Sequence, residues 1–448
     1  MRRRQPRDTT PQQVSHVAKE RRASPSSPPS RLGRCSAAVA CVLALLTLLA
    51  LNSPTSPVPF ELPPLKPLPP STSDVLLRAR HVGVGSLVGP ESLAASFDGN
   101  ALYAGLADGR IVRVVGDDLS SWKTIARTGA GAVTCGVDGE KWAGPADVHG
   151  REAACGRPLG LRVLRRKLLV SSGDPDEEVL VVADAYSGLL MVSGLARPTG
   201  ESVVDVLATR AQGDDPRKPF SLLNDVAVTA DGDVYFTETS RTFQRRRIMY
   251  AVFDGRPDGR LLKWDRARGV AVVVRDRLLL PNGVTPMHGE EGALLLVLNV
   301  TQAWEYHPSS DELRHFADFL GTGDNVRTHE HTPSGRAARC YWLGWGSKNA
   351  LPFSLLHALR HATLLRRLAT AILPYRWLVS LVPLTGMLAA LDERGELIEL
   401  HLDRSGRTPW ISEAVEWRGR LVLGSWFNPF LAVTERSRVD TGPSTVIP

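Results

Sequence analysis

Cysteine and net charge are both scarce in this chain of 448 residues, and each scarcity excludes a class of protein. Five cysteines are too few for a small disulfide-stapled scaffold or an array of zinc modules. The formal charge of +7 arises within residues 1–34, where nine Lys or Arg face only Asp8 and Glu20. The rest of the chain is balanced, and therefore we predict no nucleic-acid partner.

Long hydrophobic runs are also scarce, and the one from Cys35 to Leu51 contains no charged residue. Its length is about the minimum that spans a bilayer. A secretory signal peptide is the alternative, but such peptides begin with a short basic region, and here the basic region is the whole of residues 1–34. We therefore predict an uncleaved transmembrane signal-anchor at residues 35–51, followed by a stiff Pro-rich stalk at 52–74.

The charge on either side of this run predicts its orientation. Lys and Arg concentrate on the cytoplasmic side of membrane segments, so residues 1–34 are expected to be a disordered cytoplasmic tail. The protein would then be a single-pass type II membrane protein. Its body would lie in the lumen of the endoplasmic reticulum or endosomal system, or outside the plasma membrane.

An oxidising compartment permits a disulfide. Cys135 and Cys155 bracket a Gly-rich stretch, and they are expected to form a disulfide there, with two free thiols as the alternative. Cys340 is expected to be a buried small hydrophobe. The sequon at Asn299, Val300 and Thr301 predicts glycosylation, unless the preceding apolar run LLLVL buries it.

Helical patterns are lacking between residue 75 and about residue 353, and strand-like runs separated by D-G and R-G turns take their place. Residues 96–114, 228–239 and 388–400 each contain such a hairpin. Recurring hairpins are typical of a propeller, in which four-stranded sheets surround a central channel. We predict an all-β, six-bladed propeller over residues 75–440, with blades near residues 96, 182, 231, 292, 341 and 419.

Four short motifs offer side-chain oxygens without any thiol: G-P-E, L-N-D, P-N-G and D-N. Alone, each is also ordinary turn chemistry. Together, one per blade, they indicate a calcium site, because calcium accepts six to eight oxygen ligands at loosely defined angles. The predicted ligands are Glu91, Asn224, Asn282, Asp324 and Asn325. We also predict Asp324 as the catalytic general base, with Asp184 and His81 as alternatives.

Residues 353–382 interrupt the strand pattern. Leucine and isoleucine recur there at helical spacing, which predicts an amphipathic helical insertion ended by Pro374. The helix would either pack on the propeller or form a lid or membrane-surface contact beside the channel. Its apolar side is expected to contain Leu356, Leu359, Leu364, Leu368 and Ile372, with Arg360, Arg366 and Arg367 elsewhere.

Several longer strings resemble one family. C-G-R-P-L-G begins at Cys155, V-A-D-A-Y at Val182, Q-R-R at Gln244 and D-N-V-R at Asp324. With the motifs above, they resemble the strictosidine synthase-like group of six-bladed propellers over residues 75–435. The resemblance implies a calcium-binding propeller related to paraoxonases and gluconolactonases, with the five predicted ligands above and activity toward aryl esters.

Two departures from the related families limit what the resemblance implies. Paraoxonases use a histidine just after a proline in the second blade, whereas Leu159 follows Pro158 here. Strictosidine synthases use a glutamate near the last blade to condense an amine with an aldehyde, and neither Glu413 nor Glu416 falls securely on that position. A strictosidine synthase-type lyase is therefore the least favoured prediction.

Two functions follow from these features. The first is a membrane-anchored, calcium-dependent hydrolase of aryl esters or lactones. The second is a non-catalytic, membrane-anchored propeller that binds a protein or lipid partner and keeps its calcium for structure. The complete ligand set favours the hydrolase, and the absence of the paraoxonase histidine at Leu159 favours the binding protein.

Overall fold

The computed structural model describes residues 31–129, 135, 151–197, 202–288, 292–329 and 339–435. The chain divides into two compact units, Met1–Leu48 and Leu49–Pro448. Helix α1 (Arg31–Leu51) contains all the described residues of the first unit. Within the described residues, no helix combines the length and apolar character that a membrane span requires.

Six four-stranded antiparallel sheets form the second unit, and the prediction of a six-bladed propeller is confirmed. In chain order, blade 1 contains β2 (Leu93–Ala95), β3 (Leu102–Gly105), β4 (Arg110–Val115) and β5 (Ser121–Arg127), and blade 2 contains β6 (Pro158–Arg165), β7 (Glu178–Asp184), β8 (Gly188–Ser193) and β9 (Val203–Ala208). Blade 3 contains β10 (Leu223–Val228), β11 (Val234–Glu238), β12 (Gly259–Asp265) and β13 (Val270–Leu278), and blade 4 contains β14 (Val284–Pro286), β15 (Leu294–Leu298), β16 (Gln302–His307) and β17 (Glu312–Asp318). Blade 5 contains β18 (Gly321–His329), β19 (Cys340–Lys348), β20 (Gly386–Leu391) and β21 (Leu397–Asp403), and blade 6 contains β22 (Ile411–Trp417), β23 (Arg420–Ser425), β24 (Leu431–Glu435) and β1 (Arg80–Val82).

The first strand of every blade faces the central channel. Strands β2, β6, β10, β14, β18 and β22 contact one another in that order, and β22 contacts β2, so the ring is complete. The ring closes within blade 6, where β1 from the start of the propeller pairs with β24 from its end, with Arg80 opposite Val433. The first and the last strand of the propeller therefore share one sheet.

The apolar core lies between neighbouring blades. One cluster, for example, joins Tyr103 and Ile111 of blade 1 to Leu161, Leu180 and Val182 of blade 2. Since both faces of a middle strand are covered by adjacent blades, such strands are apolar at nearly every position instead of alternating. Burial of all six residues of β8 shows this pattern.

Helices occur mainly outside the blades. They are α2 (Val75–Arg78), α3 (151–155), α4 (Ile248–Asp254), α5 (Leu355–Leu359), α6 (Thr363–Ile372) and α7 (Tyr375–Val379), with 3₁₀ turns at Arg166–Leu168 and Arg245–Arg247. Helices α5, α6 and α7 lie between β19 and β20. We call residues 349–385 the insertion, and its predicted helical character is confirmed.

The predicted arrangement of the insertion as one amphipathic helix is wrong. It consists of three short helices, and Leu364 and Ile372 are more than half exposed. Arg366 is buried instead, and its guanidinium donates to the carbonyls of Phe253 at 3.0 Å and Val58 at 2.5 Å. Arg366 is held inside because it satisfies backbone acceptors that periodicity cannot reveal.

The segment predicted as a stalk lies along the second unit. Thr55 is buried beside Thr370 of α6, at 2.7 Å between the hydroxyl oxygens. The Ser56 amide donates to Asp254 at the end of α4, and the Thr72 amide donates to the Leu400 carbonyl of β21. The predicted disulfide between Cys135 and Cys155 is present, and Cys340 is buried.

Candidate functional site

A cavity of about 530 Å³ opens where the inner strands meet the insertion. Four of the five predicted ligand residues line it: Glu91, Asn224, Asn282 and Asp324. We call these four residues the floor. The remaining wall is mostly apolar and comes from α4, the insertion and nearby loops, and it includes Leu159, Leu222, Ile248, Met249, Phe253, Leu356, Leu359, Leu381 and Val382.

Each floor residue belongs to a different blade. Glu91 precedes β2 of blade 1, Asn224 lies on β10 of blade 3, Asn282 precedes β14 of blade 4, and Asp324 lies on β18 of blade 5. Asn325 follows on β18, is fully buried and donates from its amide to Glu413 at 3.4 Å. The propeller therefore brings together residues up to 233 positions apart, which is the separation between Glu91 and Asp324 in the sequence.

Two glycines without side chains allow this approach. A Cβ on Gly283, in the P-N-G motif, would lie 2.6 Å from the Val326 amide nitrogen. A Cβ on Gly160 would lie 2.6 Å from the Asp225 Cα. Close backbone approach is thus the reason for glycine at both positions, and the glycine of P-N-G is not required for a left-handed turn.

Three amide oxygens at the site have no hydrogen-bond partner. They are the Oδ1 atoms of Asn224, Asn282 and Asn325. The Asn224 amide nitrogen donates to Thr239 Oγ1 at 3.0 Å, which directs its oxygen away from that contact. Buried acceptors without partners carry a free-energy cost, so a donor or cation beside them would stabilise the site.

The two carboxylates complete a set of oxygen atoms. Among the described residues, no group of three or more His, Cys, Asp or Glu side chains is arranged to hold a metal ion. The set at the floor differs, because it combines two carboxylates with three amides. Burial raises the pKa of Glu91, although the Arg157 guanidinium opposes the shift. Burial and then the charge of Glu91 raise the pKa of Asp324 well above its usual range. The two carboxylates therefore disfavour each other's ionised form.

Arg157 is a buried cation that the sequence did not predict at the site. Its Nη2 donates to Glu91 Oε2 at 2.8 Å and to the Trp426 carbonyl at 2.9 Å, and its Nη1 donates to the Gly89 carbonyl at 2.9 Å. Gly89 leaves room for this guanidinium, because a Cβ there would lie 3.1 Å from Nη1. Arg157 thus orients Glu91 at the entry to β2.

Arg245 is a second cation that sequence reasoning missed. It belongs to the 3₁₀ turn after β11, lines the cavity, and lies 3.5 Å from Glu152 Oε1 through its Nη1. Tyr186 donates to Glu152 Oε2 at 2.7 Å. Burial opposes the charge of Arg245, but Glu152 and Glu91 outweigh it and raise its pKa. Both arginines lie in strings used for the resemblance, and nothing in those strings distinguishes a site cation from a surface one.

Below the floor, four charged side chains from inner strands form a buried network. Arg327 of β18 donates to Asp225 Oδ2 at 2.7 Å and pairs with Glu413 of β22. Arg162 of β6 lies 3.5 Å from Asp225 Oδ1. Burial raises the pKa of Glu413 to about 7, although both arginines oppose the shift. Glu413 is therefore bound in a structural network instead of facing the cavity.

The alternative general bases lie away from the floor. Asp184 is fully buried and accepts from the backbone amides of Arg157, Tyr186 and Ser187. His81 lies on β1 and stacks on Phe430 with ring centroids 3.6 Å apart. Neither side chain lines the cavity, so Asp324 is the candidate that the structure places there.

The predicted sequon occupies the turn between β15 and β16. Thr301 is fully buried, and the half-buried Asn299 donates from its amide to Gln302 at 3.0 Å. Val300 lines the cavity. Glycosylation of Asn299 stays a prediction.

Six four-stranded blades around a floor of carboxylate and amide side chains define the chain as a six-bladed propeller. Family models described as strictosidine synthase, and as strictosidine synthase-like, N-terminal, match residues 224–305 and 71–114. The chain belongs to the strictosidine synthase-like family.

Individual relatives cover most of the chain. The adipocyte plasma membrane-associated protein of Gallus gallus is 33% identical over 365 residues, which is 80% of this chain and 77% of that protein. Strictosidine synthase-like 10 of Arabidopsis thaliana is 32% identical over 380 residues, which is 82% of this chain and 91% of that protein. A solved gluconolactonase from Xanthomonas campestris is 13% identical, with a TM-score of 0.47 and coverage of 84% of this chain and 98% of that chain. The family assignment depends on the sequence matches alone.

Proposed function

We propose that the protein is a membrane-anchored, calcium-dependent hydrolase of aryl esters or lactones. The observation that carries the proposal is the set of three buried amide oxygens without partners beside the carboxylates of Glu91 and Asp324. Hard cations such as calcium prefer carboxylate and amide oxygens. The residues present therefore fit a calcium ion, which would be held by Glu91, Asn224, Asn282, Asp324 and Asn325.

When bound, calcium would supply a Lewis acid that polarises a carbonyl oxygen. The protein's own residues would do the rest. Arg157 holds the Glu91 carboxylate in place through a 2.8 Å contact. Asp324 is the candidate general base, because its carboxylate lines the cavity where a water molecule could approach a bound ester. The apolar wall would hold the substrate and exclude bulk water.

Turnover and metal binding together test this proposal. Initial rates of phenyl acetate hydrolysis by the full chain should fall after chelation and return when calcium is added. Asn224→Ala should abolish both calcium binding, measured by calorimetry, and turnover. Asn100→Ala is a matched control, because Asn100 is exposed in a surface turn. Full esterase activity in a calcium-free Asn224→Ala protein would refute the mechanism.

The membrane anchor is part of the same proposal. The apolar run 35–51, with residues 1–34 on the cytoplasmic side, would place the propeller in the lumen or outside the cell. The disulfide between Cys135 and Cys155 supports an oxidising compartment. The insertion would add a second membrane contact, since exposed Leu364, Ile372 and Trp377 suit the headgroup boundary. Protease protection of an N-terminal tag in sealed microsomes should be absent if the tail is cytoplasmic.

A binding protein is the second candidate function, and one observation favours it. None of the described residues that line the cavity is a histidine, and Arg157 makes its contacts with Glu91 and with backbone carbonyls. Among the described lining residues, the site thus has no imidazole that could accept a proton near pH 7. Calcium binding without hydrolysis of any ester or lactone in a substrate panel would favour this function over the hydrolase.

A further inference from the structure

The side chain of Arg245 has more hydrogen-bonding capacity than the protein uses. Only 6% of the residue is exposed, and it lines the cavity. Its Nη1 atom is buried and has no hydrogen-bond partner. A guanidinium carries five N–H donors, and leaving one buried and unsatisfied costs free energy. Because the residue also borders the cavity, an acceptor on a bound molecule would add a partner that the protein does not supply.

Neighbouring groups hold Arg245 in place without saturating it. Glu152 Oε1 lies 3.5 Å from Nη1, which is an ion-pair distance that exceeds a normal hydrogen bond. Glu152 is itself fixed by the Tyr186 hydroxyl at 2.7 Å. The Trp426 ring lies against the guanidinium, with its centroid 5.7 Å from Cζ. The guanidinium is therefore positioned before any ligand arrives, and little side-chain entropy is lost on binding.

The charges around the cavity favour an anion once the floor binds a cation. The described cavity-lining carboxylates are Glu91 and Asp324, and both belong to the proposed calcium ligands. The described cations are Arg245, Lys348 and Arg366. Arg366 already donates to three backbone carbonyls. Glu152 offsets part of the charge of Arg245. When calcium neutralises the two lining carboxylates, the three lining cations still give the cavity a positive wall.

The remaining wall selects for an apolar body. Leu159, Leu222, Ile248, Met249 and Phe253 are among the side chains that surround the cavity. Its volume of about 530 Å³ lies within the range of small-molecule sites. The ligand class that matches both features carries an apolar chain or ring and a single anionic group.

We propose that Arg245 forms a carboxylate-binding subsite, so that the cavity binds amphiphiles that combine an apolar group with a carboxylate. This inference rests on the proposed function, because hydrolysis of an ester or lactone produces such an acid and because calcium sets the sign of the cavity charge. The carboxylate would come either from that acid product or from an acid group already present on the substrate.

The test compares an acid with its neutral amide on the same protein. The full chain in lipid nanodiscs is titrated with 4-phenylbutanoate and with 4-phenylbutanamide in calorimetry, with empty nanodiscs as the blank. In the wild-type protein with calcium, the acid should bind about tenfold or more tightly than the amide. Arg245→Gln should remove this preference, because it weakens binding of the acid far more than binding of the amide. Arg246→Gln is the matched control, because Arg246 is the next residue, donates from its own Nε to Gln244 Oε1 at 3.0 Å and does not line the cavity.

The design stays informative if Arg245→Gln fails to fold. The double variant Glu152→Gln with Arg245→Gln removes both members of the buried pair, so neither charge is left alone. It should bind the amide and lose the preference for the acid. Equal affinity for acid and amide in the wild-type protein would overturn the inference. Loss of the preference in Lys348→Gln, with the preference kept in Arg245→Gln, would also overturn it.

Two further arms separate this inference from the hydrolase proposal. Arg245-dependent acid binding in a protein that hydrolyses no ester would support the inference and count against the hydrolase. Esterase activity without any preference for the acid would overturn the inference and leave the hydrolase standing. If the acid is a product, 4-phenylbutanoate should inhibit phenyl acetate hydrolysis competitively in the wild-type protein and about tenfold more weakly in Arg245→Gln.

Discussion

The floor and the insertion contribute to the same cavity by opposite means. The floor consists of polar side chains fixed by inner strands, and it lies above the buried charges of Asp225, Arg327 and Glu413. The insertion supplies short helices whose outer side chains are largely exposed, such as Leu364 at 63% and Trp377 at 53%. The difference teaches that the inner strands of the ring supply the polar groups of the cavity, whereas helices outside the blades supply much of its apolar wall.

The largest expected effect concerns the network below the floor. Arg327→Met would leave Asp225 and Glu413 with one fewer cation in a buried position. We expect a loss of about 3–5 kcal/mol in the free energy of unfolding, because breaking a buried ion pair strands a charge. Urea unfolding measures this loss. The exposed pair of Arg314 and Glu312 is the control, and Arg314→Met should cost about 0–1 kcal/mol. Equal losses of stability in both variants would contradict a stabilising role for the buried network below the floor.

Calcium should stabilise the folded protein more than the exposed side chains of the insertion do. A ligand present at about 100 times its dissociation constant adds about 2.7 kcal/mol to the free energy of unfolding when it binds only the folded state. Thermal unfolding of the full chain with calcium and with chelator measures the shift. Magnesium at the same concentration is a control, since its smaller octahedral shell suits this amide-rich set less well. An unchanged melting temperature would argue that the floor does not bind calcium.

Gly283→Ala tests whether backbone approach between blades 4 and 5 assembles the floor. The new Cβ would lie 2.6 Å from the Val326 amide nitrogen, so the blades must separate. We expect a loss of about 1–3 kcal/mol in stability and weaker calcium binding, because Asn282 and Asp324 would move apart. Gly346→Ala is the matched control, because its nearest neighbour would be Thr322 Oγ1 at 3.5 Å. Normal calcium affinity in Gly283→Ala would show that the approach is not needed.

The smallest effect is expected on the outer surface of the insertion. Replacing Leu364 and Trp377 by Ser removes exposed apolar surface that makes little contribution to the fold. Each change should alter the free energy of unfolding by no more than about 0.5 kcal/mol. The reference is Leu378→Ser, which changes a fully buried neighbour and should cost far more. Loss of stability in the Leu364 or Trp377 variant would show that the insertion is packed more firmly than its exposure indicates.

The repeat architecture was predictable because hairpins recur with turn residues at each end. The motifs around Glu91, Asn224, Asn282 and Asp324 were also predictable, since a propeller directs equivalent positions of different blades to one channel. The structure shows that these four residues line one cavity. Their role as calcium ligands stays a proposal. The prediction of oxygen ligands thus depended on a motif pattern that recurs from blade to blade.

Other features could not be predicted, for a common physical reason. Arg157 and Arg245 are buried cations whose partners are distant carboxylates and backbone carbonyls, and no local pattern marks a buried arginine. Hydrophobic periodicity placed Arg366 outside the apolar side of the insertion for the same reason. Its acceptors, the carbonyls of Val58 and Phe253, come from other parts of the chain. Burial of polar groups is decided by tertiary partners, and a sequence window contains none of them.

The pairing of β1 with β24 has a consequence for biosynthesis. Arg80 faces Val433, so the strand made first in the propeller meets its partner only after residues 431–433 have been translated. Until then, blade 6 has no outer strand, and Arg80–Val82 presents unpaired backbone groups. Completion of the ring is therefore a late event that depends on contacts between residues far apart in sequence. A nascent chain that stalls after residue 324 but before residue 431 would carry every floor residue and still lack the strand that pairs with β1.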